Sequence, residues 1–202
     1  MHMLSEKFIW LAIAITIFGD IFYLRDTLAG KTKPNRVTFF LWGAAPLVAY
    51  FAQRTEHGGP QIGYTLLIAV VPLIILSASF VNKQAYWALS AFDLTCGILS
   101  VIALIFLVVS NNGFIALIIS IVADFFAALP TIIKSYHYPE TETTITYVLE
   151  VIGSVLVLLT IKHFIFIDYS FAAYVLLLNM SIGYLLLRPH PKHSVKAPSK
   201  VN

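Results

Sequence analysis

Gly19-Asp20-Ile21-Phe22-Tyr23-Leu24-Arg25-Asp26-Thr27-Leu28 opens a stretch that the chain uses twice. A polar turn with Lys33-Pro34-Asn35 follows, then the apolar run from Val37 to Phe51. The second copy reads Ala123-Asp124-Phe125-Phe126-Ala127-Ala128-Leu129-Pro130-Thr131-Ile132, then a polar turn with Tyr138-Pro139-Glu140, then the apolar run from Thr143 to Leu159. Asp20 aligns with Asp124 and Thr27 with Thr131, and one inserted residue then brings Pro34 onto Pro139 and Thr38 onto Thr143. A repeat of this length implies a fold made of two similar halves.

The solvent around those halves follows from composition. Apolar residues make up 59% of the chain and charged residues 11%, against about 25% charged in a soluble domain. The mean hydropathy is +0.85. Both values imply an integral membrane protein. At roughly 20 residues per span, 202 residues allow seven helices and leave no room for a soluble domain. The apolar segments are 8–24, 37–51, 62–81, 85–109, 113–133, 143–161 and 169–187. None shows the strict alternation of a barrel strand, and backbone groups in lipid must be satisfied within the segment, so all seven read as helices. The first segment contains Asp20, and no small-x-small cleavage site with a charged n-region appears, so it reads as a retained span. The single cysteine, Cys96, excludes an intramolecular disulfide.

Segments one to three match segments five to seven, leaving segment four over. An odd number of spans between the two starts gives both copies the same orientation, with segment four as the inverter. The expected fold is therefore all-α: two parallel three-helix repeats (1–81 and 112–187), an inverter helix (82–111) and a disordered basic tail (188–202). Of thirteen lysines and arginines, Lys7, Arg54 and Lys162 fall on one side and the other ten on the opposite side. Basic loops stay cytoplasmic, so the N-terminus is expected outside and the C-terminus inside, in a plasma or inner membrane. Trp10 and Trp87, near span ends, read as interface anchors.

Four acids fall within the spans: Asp20, Asp93, Asp124 and Glu150. A carboxylate at the bilayer centre costs about 2.5 to 3.5 kcal/mol on the insertion scale, so each must face water, carry a proton or meet a donor. Thr16, Asp20 and Tyr23 share one helical face; so do Thr146, Glu150 and Ser154, with Tyr147 beside them, and Asp93, Cys96 and Ser100. The competing reading of each acid is interhelical packing glue. Asn179 in segment seven suits a hydroxyl- or amide-bearing solute, or a bond to a neighbouring helix. Trp42 and its equivalent Tyr147 serve equally as a stacking surface or as core. Pro46, Pro72 and Pro130 each free a carbonyl four residues earlier; Pro46 and Pro130, both in the repeated stretch, are the candidate hinges, and Pro72 a static kink.

The run Leu129-Pro130-Thr131-Ile132-Ile133-Lys134-Ser135-Tyr136 resembles the PQ-loop motif, with Thr131 where glutamine is usual. With the three-one-three layout and outside N-terminus, the chain is similar to the superfamily of SWEET sugar transporters, cystinosin-type carriers and the KDEL receptor. In the first copy Asp26 and Thr27 replace the motif's proline and glutamine, segment six lacks a hinge proline, and segment three lacks a partner for Asn179. The resemblance implies a transporter that moves a small polar solute (sugar, amino acid or vitamin-like) by alternating access, either passively or with proton coupling, and the buried carboxylates suit the proton-coupled form. Its site is expected among Asp20, Trp42, Asp93, Asp124, Tyr147, Glu150 and Asn179. The alternative is a non-transporting receptor or scaffold of the same layout that binds a peptide or lipid signal. No His-Glu-x-x-His, Gly-x-Ser-x-Gly or cysteine-histidine pairing occurs, so neither an enzyme nor a cofactor is expected. The expected partners are the solute and membrane lipids, not nucleic acid, with homo-oligomers left open.

Overall fold

The structure is a computed structural model that describes residues 4–109 and 112–189; the tail expected to be disordered lies outside the described residues from position 190 on. Among the described residues there are seven α-helices and no strand: α1 (Phe8–Leu28), α2 (Arg36–Thr55), α3 (Ile62–Val81), α4 (Ala91–Val109), α5 (Gly113–His137), α6 (Thr144–Thr160) and α7 (Phe166–Leu187). By length and composition α1, α3, α5 and α7 can each cross a membrane. The chain is thus an all-helical, membrane-embedded protein.

Helix ends are set by local chemistry. Asn35 starts α2 by accepting from the amides of Val37 and Thr38, and Asn112 starts α5 by accepting from Ile115, each satisfying a donor that the helix leaves unpaired. Gly30, at φ +73°, turns the chain out of α1; a side chain there would also collide with Gln84. Helices α2, α3 and α5 run unbroken through Pro46, Pro72 and Pro130.

The fourth helix corrects the sequence reading. It starts at Ala91, not Ala85, because Ser90 and Asp93 form a reciprocal cap: the Ser90 amide donates to Asp93 Oδ2 (2.6 Å) and the Asp93 amide to Ser90 Oγ (3.2 Å). Asp93 therefore sits in the first turn of α4 instead of deep in a span. In the irregular segment before it Ala85 and Trp87 are buried, and Trp87, read as an interface anchor, is only 7% exposed and packs against Tyr138. Trp10, in the first turn of α1, is 73% exposed.

Contacts at the helix ends show that successive helices run in opposite directions. At one end the C-termini of α1, α3, α5 and α7 gather, through Asn82 Nδ2 to Leu28 O and Arg188 to Tyr136 O, and meet the N-termini of α2, α4 and α6, through Arg36 Nε to Ser79 Oγ, Asn35 Nδ2 to Asp93 and Lys134 to Glu142. This end carries Arg25, Lys33, Arg36 and Lys83 and is called the basic end below. At the other end Gln61 donates to Asp168 (2.5 Å) and Gln53 to Ile167 O (3.2 Å). Laterally, α1 packs on α6, α2 on α5, and α4 on α5 and α2; α3 lies against α1 and α2, and α7 against α5 and α6.

The α1–α6 contact is close because small residues line it. Thr146 Oγ1 donates to Gly19 O at 2.7 Å, and a methyl group on Gly153 would run into Thr16 Oγ1. In a membrane such close approach is a main source of helix association. Gly153→Val is expected to destabilise the fold by about 1–3 kcal/mol through overpacking. Gly63→Ala, where nothing lies within 4 Å, should leave the unfolding temperature unchanged. Thermal unfolding in detergent compares them; equal melting temperatures for both variants would contradict this packing account.

Candidate functional site

Midway between the two ends lies a cavity of about 70 Å³ lined by α1, α2, α3, α5, α6 and α7. It gathers six of the seven residues singled out in the sequence: Asp20, Trp42, Asp124, Tyr147, Glu150 and Asn179. Asp93 is not among them; its two carboxylate oxygens are taken by Asn35 Nδ2 (3.0 Å) and the Ser90 amide. Cys96 and Ser100, on the same stripe, are also buried away from the cavity, and Ser100 donates to Ala123 O on α5. The polar face of α4 is thus an interhelical seam.

The acids differ in their surroundings. Asp124 Oδ2 accepts from Tyr174 (2.7 Å) and Glu150 Oε2 from Tyr64 (3.1 Å), whose hydroxyl also meets Ser154 (3.0 Å). Asp20 and Glu150 lie within electrostatic reach of each other. Asp20 Oδ2, Asp124 Oδ1 and Trp42 Nε1 are buried and without a hydrogen-bond partner. Each such atom costs about 1–3 kcal/mol unless something completes it. Two carboxylate oxygens and one N–H therefore await a proton, a cation or a hydroxyl.

An aromatic chain walls the other side: Tyr147 against Tyr23 (6.4 Å between centroids), Tyr23 against Phe39 (5.2 Å) and Phe39 against Trp42 (5.2 Å). Pro72 also lines the cavity, whereas Pro46 and Pro130 are buried in α2 and α5 and do not. Asn179 turns its amide onto its own helix, donating to Val175 O (3.0 Å).

Below the aromatic wall, toward the basic end, the structure holds a polar cluster absent from the candidate residues. Lys134, counted as a loop residue in the sequence, is 2% exposed and pairs with Glu142 at 2.6 Å. It also donates to Lys33 O and lies 4.9 Å from the Trp87 ring. The second oxygen of Glu142 accepts from Tyr23 and Tyr147, each at 2.8 Å. These two tyrosines, one from each half of the chain, face the cavity with their rings and Glu142 with their hydroxyls. Around them the repeated turns meet, through Lys33 N to Thr141 O (3.0 Å) and Thr32 to Thr143 (2.6 Å). A signal for Glu142 was present: it continues the stripe Thr146, Glu150, Ser154 one turn upstream. At the opposite end the cavity is closed by an apolar cluster that includes Ala49, Leu117, Phe171 and Val175.

At about 70 Å³ the cavity admits a few waters or a small ion, and a larger solute requires its walls to part. No family model, curated protein or solved structure matches the chain.

Removing one partner of a buried ion pair costs about 3–5 kcal/mol, because the other charge stays buried and alone. Glu142→Gln is expected to destabilise the detergent-purified protein by that order, and Glu142→Leu/Lys134→Met to recover most of the loss. Chemical unfolding of the three proteins provides the check. Wild-type stability in Glu142→Gln would show that the pair does not hold the basic end together.

Proposed function

We propose that the chain is a membrane carrier with seven spans, built as two like-oriented three-helix halves (α1–α3 and α5–α7) bridged by α4, in the manner of the PQ-loop and SWEET-like proteins it resembles. Exchanging α1, α2 and α3 for α5, α6 and α7 turns the pairings α1–α6, α1–α3 and α2–α3 into α5–α2, α5–α7 and α6–α7, all of which occur. Within each half the third helix packs against both others. The basic end lies in the cytoplasm, following the distribution of lysine and arginine.

One observation carries the functional reading. Asp20 and Asp124, equivalent residues of the two copies, line one cavity at the junction of the halves together with Glu150, and two of the three acids retain a partnerless oxygen. Among the described residues no lysine or arginine lines the cavity, and the nearby Lys134 is engaged by Glu142. Such a site favours a proton or a small organic cation, with the aromatic wall as a cation–π surface. It suits a neutral sugar less well. The carrier alternates by parting the Glu142 cluster at one end and the apolar cluster at the other.

Proteoliposome uptake of a panel of amines, amino acids, vitamins and sugars, with and without an imposed pH gradient, tests the proposal. At least one solute should be taken up, with transport falling tenfold or more in Asp20→Asn, Asp124→Asn and Glu150→Gln, and the pH gradient should accelerate wild-type uptake. Uptake that persists in all three variants and ignores the gradient would remove the carboxylates from the mechanism. No flux of any solute, together with a stoichiometric co-purifying partner, would favour a receptor.

A further inference from the structure

A second concavity lies on the outside of the bundle. Helices α2, α3 and α4 line a lateral groove of about 520 Å³; α4 rests on α5 and α2, and among the described residues no packed α3–α4 interface closes the groove. Its walls are apolar throughout, with Phe40, Leu76, Phe80, Leu94, Ile98 and Ile102 among them. Among the described residues the one charged side chain that lines it is Arg36, the first residue of α2, at the basic end.

Three features narrow the choice of occupant. From Leu94 to Ile102 the groove follows α4 for about 12 Å at 1.5 Å per residue, close to the roughly 15 Å depth of one leaflet, half of a hydrocarbon core about 30 Å thick. Arg36 is held at its mouth: Nε donates to Ser79 Oγ (3.1 Å) and one terminal nitrogen to Ser79 O (2.7 Å), and the guanidinium stacks 4.0 Å from the Phe80 ring. A guanidinium has five N–H donors, so others remain to receive an oxyanion. The neighbouring acid, Asp93, does not compete, because Asn35 and Ser90 occupy it. Gly97 sets the groove's depth: a side chain there would meet Val37 at 2.7 Å and push α4 away from α2.

We propose that this groove holds one acyl chain of an anionic glycerophospholipid from the leaflet at the basic end, with the lipid phosphate on Arg36. The chain supplies the apolar contact that α3 and α4 do not give each other, and the phosphate anchors it where the basic end meets the headgroups. The site is independent of the central cavity and does not rest on the carrier reading.

Native mass spectrometry of the full chain in detergent, with phosphatidylglycerol and phosphatidylcholine of identical acyl chains, tests it. The wild type should retain one phosphatidylglycerol at least tenfold more strongly than phosphatidylcholine. Arg36→Gln should bring the two lipids within twofold, Arg36→Lys should keep part of the preference, and Ile98→Trp should weaken both lipids. Ser79→Ala, which removes only the hydroxyl tie, should preserve the preference and so separates headgroup recognition from loss of structure. Equal retention of both lipids by the wild type, or an unchanged preference in Arg36→Gln, overturns the proposal. Displacement of the lipid by millimolar glycerol phosphate overturns it in favour of a free-phosphate site, and disulfide cross-linking of Ile98→Cys between two copies in favour of a dimer interface.

Discussion

A lysine ammonium taken out of water must find a carboxylate, and around Lys134 that requirement organises an entire end of the molecule. Its partner Glu142 stands just before α6, so the pair fixes where α5 stops, how the chain reverses through Pro139–Thr141 and where α6 begins. The remaining oxygen of Glu142 then draws in Tyr23 from α1 and Tyr147 from α6. One buried charge pair thus ties three helices and the turns of both repeated stretches. A buried pair satisfied in this way offsets its own desolvation and defines a single arrangement, while its rupture leaves charges with nowhere to go.

The cavity inherits its shape from that arrangement. Tyr23 and Tyr147 form its floor because their hydroxyls are held from below, and the apolar cluster of α2, α5 and α7 forms its roof. Between floor and roof the acids share two tyrosine hydroxyls, leaving Asp20 Oδ2 without a donor. The helix pairings among α1–α3 recur among α5–α7, while the chemistry they carry differs. Tyr64 of α3 and Tyr174 of α7 serve acids on different helices: Glu150 on α6 and Asp124 on α5.

Much of this was legible in the residues. Apolar runs marked the helices, and the pairing of Asp20 with Asp124 located the cavity because buried acids are costly wherever they occur. Helical spacing also carried Tyr147 and Glu150 to the correct face. Asp93 failed the same logic because Ser90 caps the helix three residues earlier, which turns an apparent mid-span acid into a first-turn residue. Lys134 and Glu142 were missed because charges at span ends are ordinarily solvated, and no periodicity crosses the chain reversal that brings them together. Trp87 was misread for a related reason: a tryptophan at a span end can cover a buried lysine as readily as it can anchor in headgroups.

The central claim is that two halves rock about a cavity sealed at opposite ends by different chemistry, ionic at one and apolar at the other. Double electron–electron resonance in nanodiscs tests it most directly, with spin labels at Lys31 and Glu140 across the basic end and at Arg54 and His163 across the other, all exposed positions. As pH and solute are varied, the account predicts two populations in which one distance lengthens while the other shortens. A single unchanging distance at both ends, or two distances that lengthen together, would contradict it.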